Sequence, residues 1–205
     1  MKTLFLSSLI VFCLLIAYEN RKHKRMAEKM EKDFWDRETR ANSTRKKPLD
    51  SLPYITIPFD RLPMDILKEN VKIAELHTLL SNLATQPIVN FTGYTNTDLK
   101  LEYGTANITC LSEYDQNYTL LARTLQEWAE YLYEAGFSDA AKTILEFAVS
   151  TRTDVSRSYY LLADIYDAEN TPEKKAALLE TAQSLKSAMK NAIVRTLQQS
   201  GPYSG

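Results

Sequence analysis

The chain has 205 residues, with 25 Lys and Arg against 26 Asp and Glu, a formal net charge of −1. That balance argues against a basic nucleic-acid binder, and five glycines are too few for a glycine-rich nucleotide fold or an all-β protein built on tight turns. Two cysteines and two histidines leave nothing for a disulfide framework or a zinc site, so neither a metal nor a cofactor is expected.

The charge is unevenly divided. Residues 19–47 hold eleven basic and six acidic side chains, a net of +5, and Lys2 adds one more. Residues 48–205 therefore carry −7, thirteen basic against twenty acidic. A basic stretch is joined to an acidic body.

Residues 3–18 are uncharged and mostly apolar. Counted from Met1, with Lys2 snorkelling, the run reaches the short end of the ~17–25 residues a spanning helix needs. Ser7 and Ser8 can bond back to helix carbonyls, and Tyr18 stands where an interfacial aromatic belongs. A cleaved signal peptide begins in the same way, but no small-x-small site follows the core. Bulky Phe12 before Cys13 argues against a lipoprotein anchor. Residues 1–18 are thus expected to be an uncleaved, single-pass transmembrane anchor in the lipid bilayer.

Arg21, Lys22, Lys24 and Arg25, with His23 among them, form a basic cluster directly after this run. The positive-inside rule then leaves the bulk of the chain cytoplasmic, and the cluster also suits anionic headgroups. In that setting the Asn-x-Ser/Thr sequons at Asn42, Asn90, Asn107 and Asn117 are chance matches; in a secreted eukaryotic chain they would mark surface loops.

From residue 19 to 40 there is no Gly or Pro, and opposite charges recur at helical spacing, as in Glu28 with Lys32 and Asp33 with Arg37. This predicts a helical stalk with a thin apolar stripe of Met26, Met30, Phe34 and Trp35. The heptad pattern is not sustained, which argues against a coiled coil. Residues 42–48 are polar, end in Pro48 and read as a linker.

Residues 48–64 open on Pro48 and carry further prolines at 53, 58 and 63. Each fixes its own φ and biases its predecessor away from helix, so an extended strap is expected. Its Leu52, Tyr54, Ile55, Ile57, Phe59 and Leu62 call for docking on the body. Asp65 is expected to cap a helix over 65–84, with His77 toward its polar side. A loop over 85–96 and a short helix from Thr97 to the Tyr103-Gly104 stop follow, so that 65–112 forms N-terminal capping helices and loops.

Between residues 113 and 189 the chain repeats itself. A gap-free offset of 34 aligns Leu125 with Tyr159, Trp128 with Leu162, Ala129 with Ala163 and Leu132 with Tyr166. The same offset aligns Leu145 with Leu179 and Ala148 with Ala182. Residues 136–141, Gly-Phe-Ser-Asp-Ala-Ala, supply a turn and a small residue. In period and placement this segment resembles the tetratricopeptide helix–turn–helix. The second copy departs from the pattern: Asn170 replaces the turn glycine, Lys175 stands opposite Ala141, and Thr171-Pro172-Glu173 opens the next helix. About three repeats are needed to bury the outer faces, so a solvating final helix is expected over 187–199, with 190–205 set apart as the C-terminal capping helix and tail. The expected fold is all-α: a transmembrane helix continuing into a charged stalk, then a small tetratricopeptide-like α-α superhelical body with capping helices.

The resemblance implies a concave groove lined by the first helix of each pair, presenting Arg123, Gln126, Glu130 and Tyr133, then Arg157, Tyr160, Asp164 and Asp167. Both copies place an arginine seven residues before an acid, two turns along one face. The lining lacks the Lys/Asn pairs of carboxylate clamps, and a protein or peptide partner with basic and apolar residues suits it better. No catalytic motif is present. Cys110 is expected in a loop over 106–112, where a catalytic thiol would have only His77 to pair with in the body, and a semi-buried structural thiol is the simpler reading. The expectation is a non-enzymatic, membrane-tethered adaptor acting at the cytosolic face. The alternatives are an extracytoplasmic protein with a groove for an exported peptide or small ligand, and an enzyme with an unrecognised site. As a whole the chain resembles single-span bacterial proteins with small helical-repeat bodies, which implies no activity.

Overall fold

The structure, a computed structural model, describes residues 2–199, with side chains described at residue 12 and from residue 15 onward. Among the described residues there are eight α-helices and one 3-10 turn, Thr105–Asn107, and no strand. The helices are α1 (Lys2–Ser43), α2 (Val71–Leu83), α3 (Asn96–Tyr103), α4 (Ile108–Glu134), α5 (Ser138–Ser150), α6 (Ser156–Ala168), α7 (Pro172–Gln183) and α8 (Lys190–Gln199). The all-α expectation holds. The chain divides into two compact units, Met1–Lys47 with Asn96–Asn107, and Pro48–Thr95 with residues 108–205.

In the first unit α1 is one unbroken helix, as expected of a run with no Gly or Pro. No helix of the described residues is long and apolar enough to cross a membrane, so the expected transmembrane span over 1–18 finds no support in the structure. Met1 and most side chains of that run lie outside the described ones, and the described part of α1 is largely charged. The Asp33–Arg37 pair expected along the stalk is replaced by a tertiary one: Arg37 Nη2 lies 2.5 Å from Asp98 Oδ1 on α3. Glu38 accepts from Thr97 Oγ1 and lies 3.4 Å from Lys100 Nζ. The hydroxyl of Thr97 above all, with Lys100 behind it, holds the Glu38 carboxyl below its ordinary range.

The polar segment after Ser43 is tied down rather than a loose linker. Lys47 N donates to Tyr103 O at 3.0 Å, and the Asn107 amide donates to Lys47 O and Tyr103 O at 2.8 and 2.7 Å. Gly104 makes this approach feasible: its φ is +90°, and a Cβ there would stand 2.2 Å from Arg45 O. Asn107, one of the four sequons, is fully buried.

In the second unit the strap docks as its apolar content requires. Leu52, Ile57 and Leu62 are buried, Ile55 and Phe59 pack against the core, and Ile55 N donates to Ile88 O at 2.9 Å. The following helix starts later than expected. Residues 65–70 form turns, with Leu67 at φ 52°, and α2 begins only at Val71. Its N-cap is Asn70, not Asp65: Asn70 Oδ1 accepts from Lys72 N at 2.9 Å and from Ile73 N at 3.4 Å. The Asp65 side chain is 99% exposed. Asn70 is also anchored from the other side, its Nδ2 donating to Tyr131 Oη at 2.8 Å, a long-range bond that local pattern does not reveal.

Helices α4 to α8 form the core, each packed against the next and α8 also against α6. Of the side chains paired by the 34-residue offset, all except Leu179 are buried, the four alanines nearly completely. The two helix ends repeat in geometry as well. Gly136 has φ 87° and Asn170 φ 52°, both left-handed. Phe137 N donates to Leu132 O, and 34 residues later Thr171 N donates to Tyr166 O, each at a distance near 3 Å. Gly136 N and Asn170 N likewise donate to the carbonyls of Tyr133 and Asp167. Both are Schellman turns, so Asn170 substitutes for glycine in conformation as well as in alignment. Helices α5 and α7 start 34 residues apart, and α4 and α6 end 34 apart.

Candidate functional site

The first helices of the two pairs, α4 and α6, present a cavity of about 360 Å³ lined by Glu130, Tyr133, Glu134, Arg157, Tyr160, Leu161 and Asp164. Five of the eight expected groove residues therefore converge: Glu130, Tyr133, Arg157, Tyr160 and Asp164. They meet because residues three, four and seven apart share one face of a helix, and the 34-residue repeat sets two such faces side by side. Glu134 and Leu161 complete the lining. Each stands one turn beyond an expected residue, Glu130 and Arg157, so an extension by four could have found them.

Three carboxylates line this space against one guanidinium. Arg157 Nε is bonded to Glu130 Oε1 and is thereby partly committed. Asp164 is partly withdrawn from water, and this, followed by the charge of Asp167, raises its carboxyl above the ordinary value, with Lys175 pulling the other way. Tyr133 is 40% exposed and contributes an open ring. The arrangement is acidic and aromatic, matched to a cation that carries apolar surface.

The other three expected groove residues lie elsewhere. Gln126 is buried, and its Oε1 accepts from Ser158 Oγ, which ties α4 to α6 instead of facing a ligand. Asp167 is held by Lys175 at 2.6 Å, the side chain that replaces the small residue of the first copy. Arg123 is exposed but does not line the cavity. The cavity is thus narrower than the stripe that the sequence spacing defines, and Gln126 is turned away from it.

The basic cluster Arg21, Lys22, Lys24 and Arg25 is exposed along α1, where consecutive residues circle the helix as a collar. Lys24 Nζ is 3.9 Å from Glu28. Cys110 sits in the first turn of α4 and not in a loop. His77 stacks edge-on against Trp128, ring centroids 4.8 Å apart. Trp128 is about 27 Å along α4 from Cys110 at 1.5 Å per residue, so no Cys110–His77 dyad forms. His77 is also less polar in setting than expected: its Nε2 is buried without a hydrogen-bond partner, and burial lowers its pKa. Among the described residues no group of His, Cys, Asp and Glu is arranged to hold a metal ion.

No protein-family model, curated protein or solved structure matches this chain. The functional reading therefore rests on the chain's own geometry.

Proposed function

We propose that the protein is a non-enzymatic interaction adaptor whose tetratricopeptide-like body holds a partner segment in the α4/α6 groove. The observation that carries this reading is the convergence of Glu130, Tyr133, Arg157, Tyr160 and Asp164 on one cavity. Glu130 and Asp164 stand 34 residues apart, so each helix pair contributes a carboxylate from the same position, as a repeat face does. The partner that suits the groove is a peptide bearing Lys or Arg beside apolar residues, since three carboxylates and two tyrosines outweigh one arginine. The second part of the proposal is a tether: the apolar run 3–18 anchors the chain in a bilayer and the collar Arg21–Arg25 keeps the body cytosolic.

Two measurements test the two parts separately. Fluorescence anisotropy with matched basic-apolar and acidic-apolar peptides should show binding of the former only, weakened at least about tenfold by Asp164→Lys. Equal binding of both peptides, or no response to Asp164→Lys, would overturn the groove. Protease protection on membranes of known orientation should leave the body digestible from the cytosolic side. Protection there, with digestion from the opposite side, would overturn the topology without touching the groove.

A further inference from the structure

A second cavity of about 320 Å³, which shares no residue with the α4/α6 groove, lies where four segments converge. They are the strap at Pro53 and Ile55, the loop around 90–94, the end of α5 at 150–152 and the stretch after α7 at 184–186. It holds two cations, Arg152 and Lys186, and no carboxylate is among its lining residues, although this body carries a net −7. Asp154, next along the chain, accepts from Ser187 Oγ and does not line the space. Arg152 and Lys186 stand 34 residues apart, so the two charges come from the same position in the two helix pairs, each just beyond the second helix of its pair.

The surroundings hold both cations in place. Arg152 is left-handed at φ 60°, a conformation unusual for a residue with a Cβ. The amide of Asn90 pins that turn by donating to Thr151 O at 2.9 Å and Arg152 O at 3.1 Å. One guanidinium nitrogen, Nη1, donates to Ser184 Oγ at 2.8 Å, which leaves the rest of the planar fork for a ligand. Gly93, at φ 88°, lets its loop close on Lys186: a Cβ there would meet Lys186 Cβ at 2.6 Å. Lys186 Nζ then rests over the Tyr94 ring, 5.3 Å from its centre. The hydroxyls of Ser150, Thr151 and Ser184 donate to helix carbonyls, so the charged donors offered to an incoming group are those of Arg152 and Lys186, with the Thr92 and Tyr94 hydroxyls beside them.

An adjoining cavity of about 410 Å³ shares Ser150, Arg152 and Ser184 with the first. Its wall between α5, α6 and α7 is apolar at Val149, Leu162, Ala177 and Leu178, and the one carboxylate there, Glu146, is taken up by Tyr166 Oη at 3.0 Å and Lys174 Nζ at 3.5 Å. We propose that the paired cavities bind a small amphipathic carboxylate, its head between Arg152 and Lys186 and its hydrocarbon body along the α5–α7 wall. A carboxylate fits the guanidinium fork in two parallel hydrogen bonds, and each methylene laid on the wall leaves water.

The full chain is titrated with acetate, hexanoate, octanoate and neutral hexanamide, following backbone amide shifts by NMR. Hexanoate and octanoate should saturate shifts at Thr92 and Ser184, with affinity rising up to about fourfold per methylene, and hexanamide should not. Arg152→Asn keeps a residue that tolerates the left-handed turn, and with Lys186→Gln it should weaken octanoate at least tenfold. Ala177→Leu, at an exposed wall position, should weaken octanoate more than acetate. Saturation by hexanamide equal to that by hexanoate would overturn the proposal. So would unchanged octanoate affinity in a folded Arg152→Asn, Lys186→Gln protein, or no saturable shift by any acid.

Discussion

Single residues set the ends of the helices and the core's tolerance of charge. Gly136 and Asn170 occupy the same left-handed position in the two repeats, but only glycine does so without a Cβ penalty. A Cβ at Gly136 would meet nothing within 4 Å, so Gly136→Ala should cost only the conformational penalty, about 1–2 kcal/mol in urea unfolding. Asn170→Gly should do the reverse and stabilise by up to about 1 kcal/mol. His77 offers a sign test with pH. Burial depresses its pKa in the folded chain, so the unfolded chain takes up the proton first, near the ordinary histidine value of about 6.5. Its contribution is fully present above that pH and is lost as pH falls towards the folded-state value. The urea midpoint of the wild type should therefore drop between pH 7.5 and 5.5 by more than that of His77→Phe. Parallel profiles for the two proteins would show that His77 does not titrate differently on folding.

At the scale of elements, the sequence was most legible where periodicity and turn chemistry coincide. The 34-residue offset anticipated burial of its paired side chains except Leu179, and residues 171–173 anticipated the start of α7, because each is a local consequence of spacing or turn chemistry. That Asn170 keeps the left-handed turn of Gly136 was not legible there. The sequence was least legible where a tertiary partner decides. Asp65 and Asn70 are both acceptable N-caps by composition, and the bond of Asn70 to Tyr131, distant in sequence, goes with the choice. The same holds for Gln126, which has the spacing of a groove residue but is turned inward by Ser158. Asp167 has that spacing too and is taken by Lys175. Asn70→Ala removes both the cap and the amide donor to Tyr131, and should destabilise by about 1–2 kcal/mol. Asn70→Asp keeps the cap and should recover most of that loss, which chemical denaturation of the two variants will measure.

At the scale of the whole molecule, a two-pair repeat has to solve the problem of its ends. A helical pair buries one face on its neighbour and leaves the other bare, so terminal elements must differ from internal ones. Upstream, the docked strap and α2 supply Ile57, Leu62, Ile73, Leu76 and Leu80 to the same core as α4 to α6. Downstream, α8 lies against both α6 and α7, with Ile193 fully buried and Leu197 4% exposed, while the rest of the helix is mainly polar. Three apolar contacts, Ile193, Leu197 and the half-buried Val194, on an otherwise largely polar helix are what a final cap requires, and they make α8 the weakest link of the series. Ile193→Ala should cost about 2–5 kcal/mol, within reach of a small domain's whole stability of about 5–15 kcal/mol. Helix α7 has only Leu178 and Ala182 buried, so it should loosen together with α8. Hydrogen exchange on Ile193→Ala should therefore accelerate across α7 and α8 while α4 and α5 stay protected. Uniform acceleration over all five helices would mean instead that the body unfolds as one unit and that α8 belongs to its core.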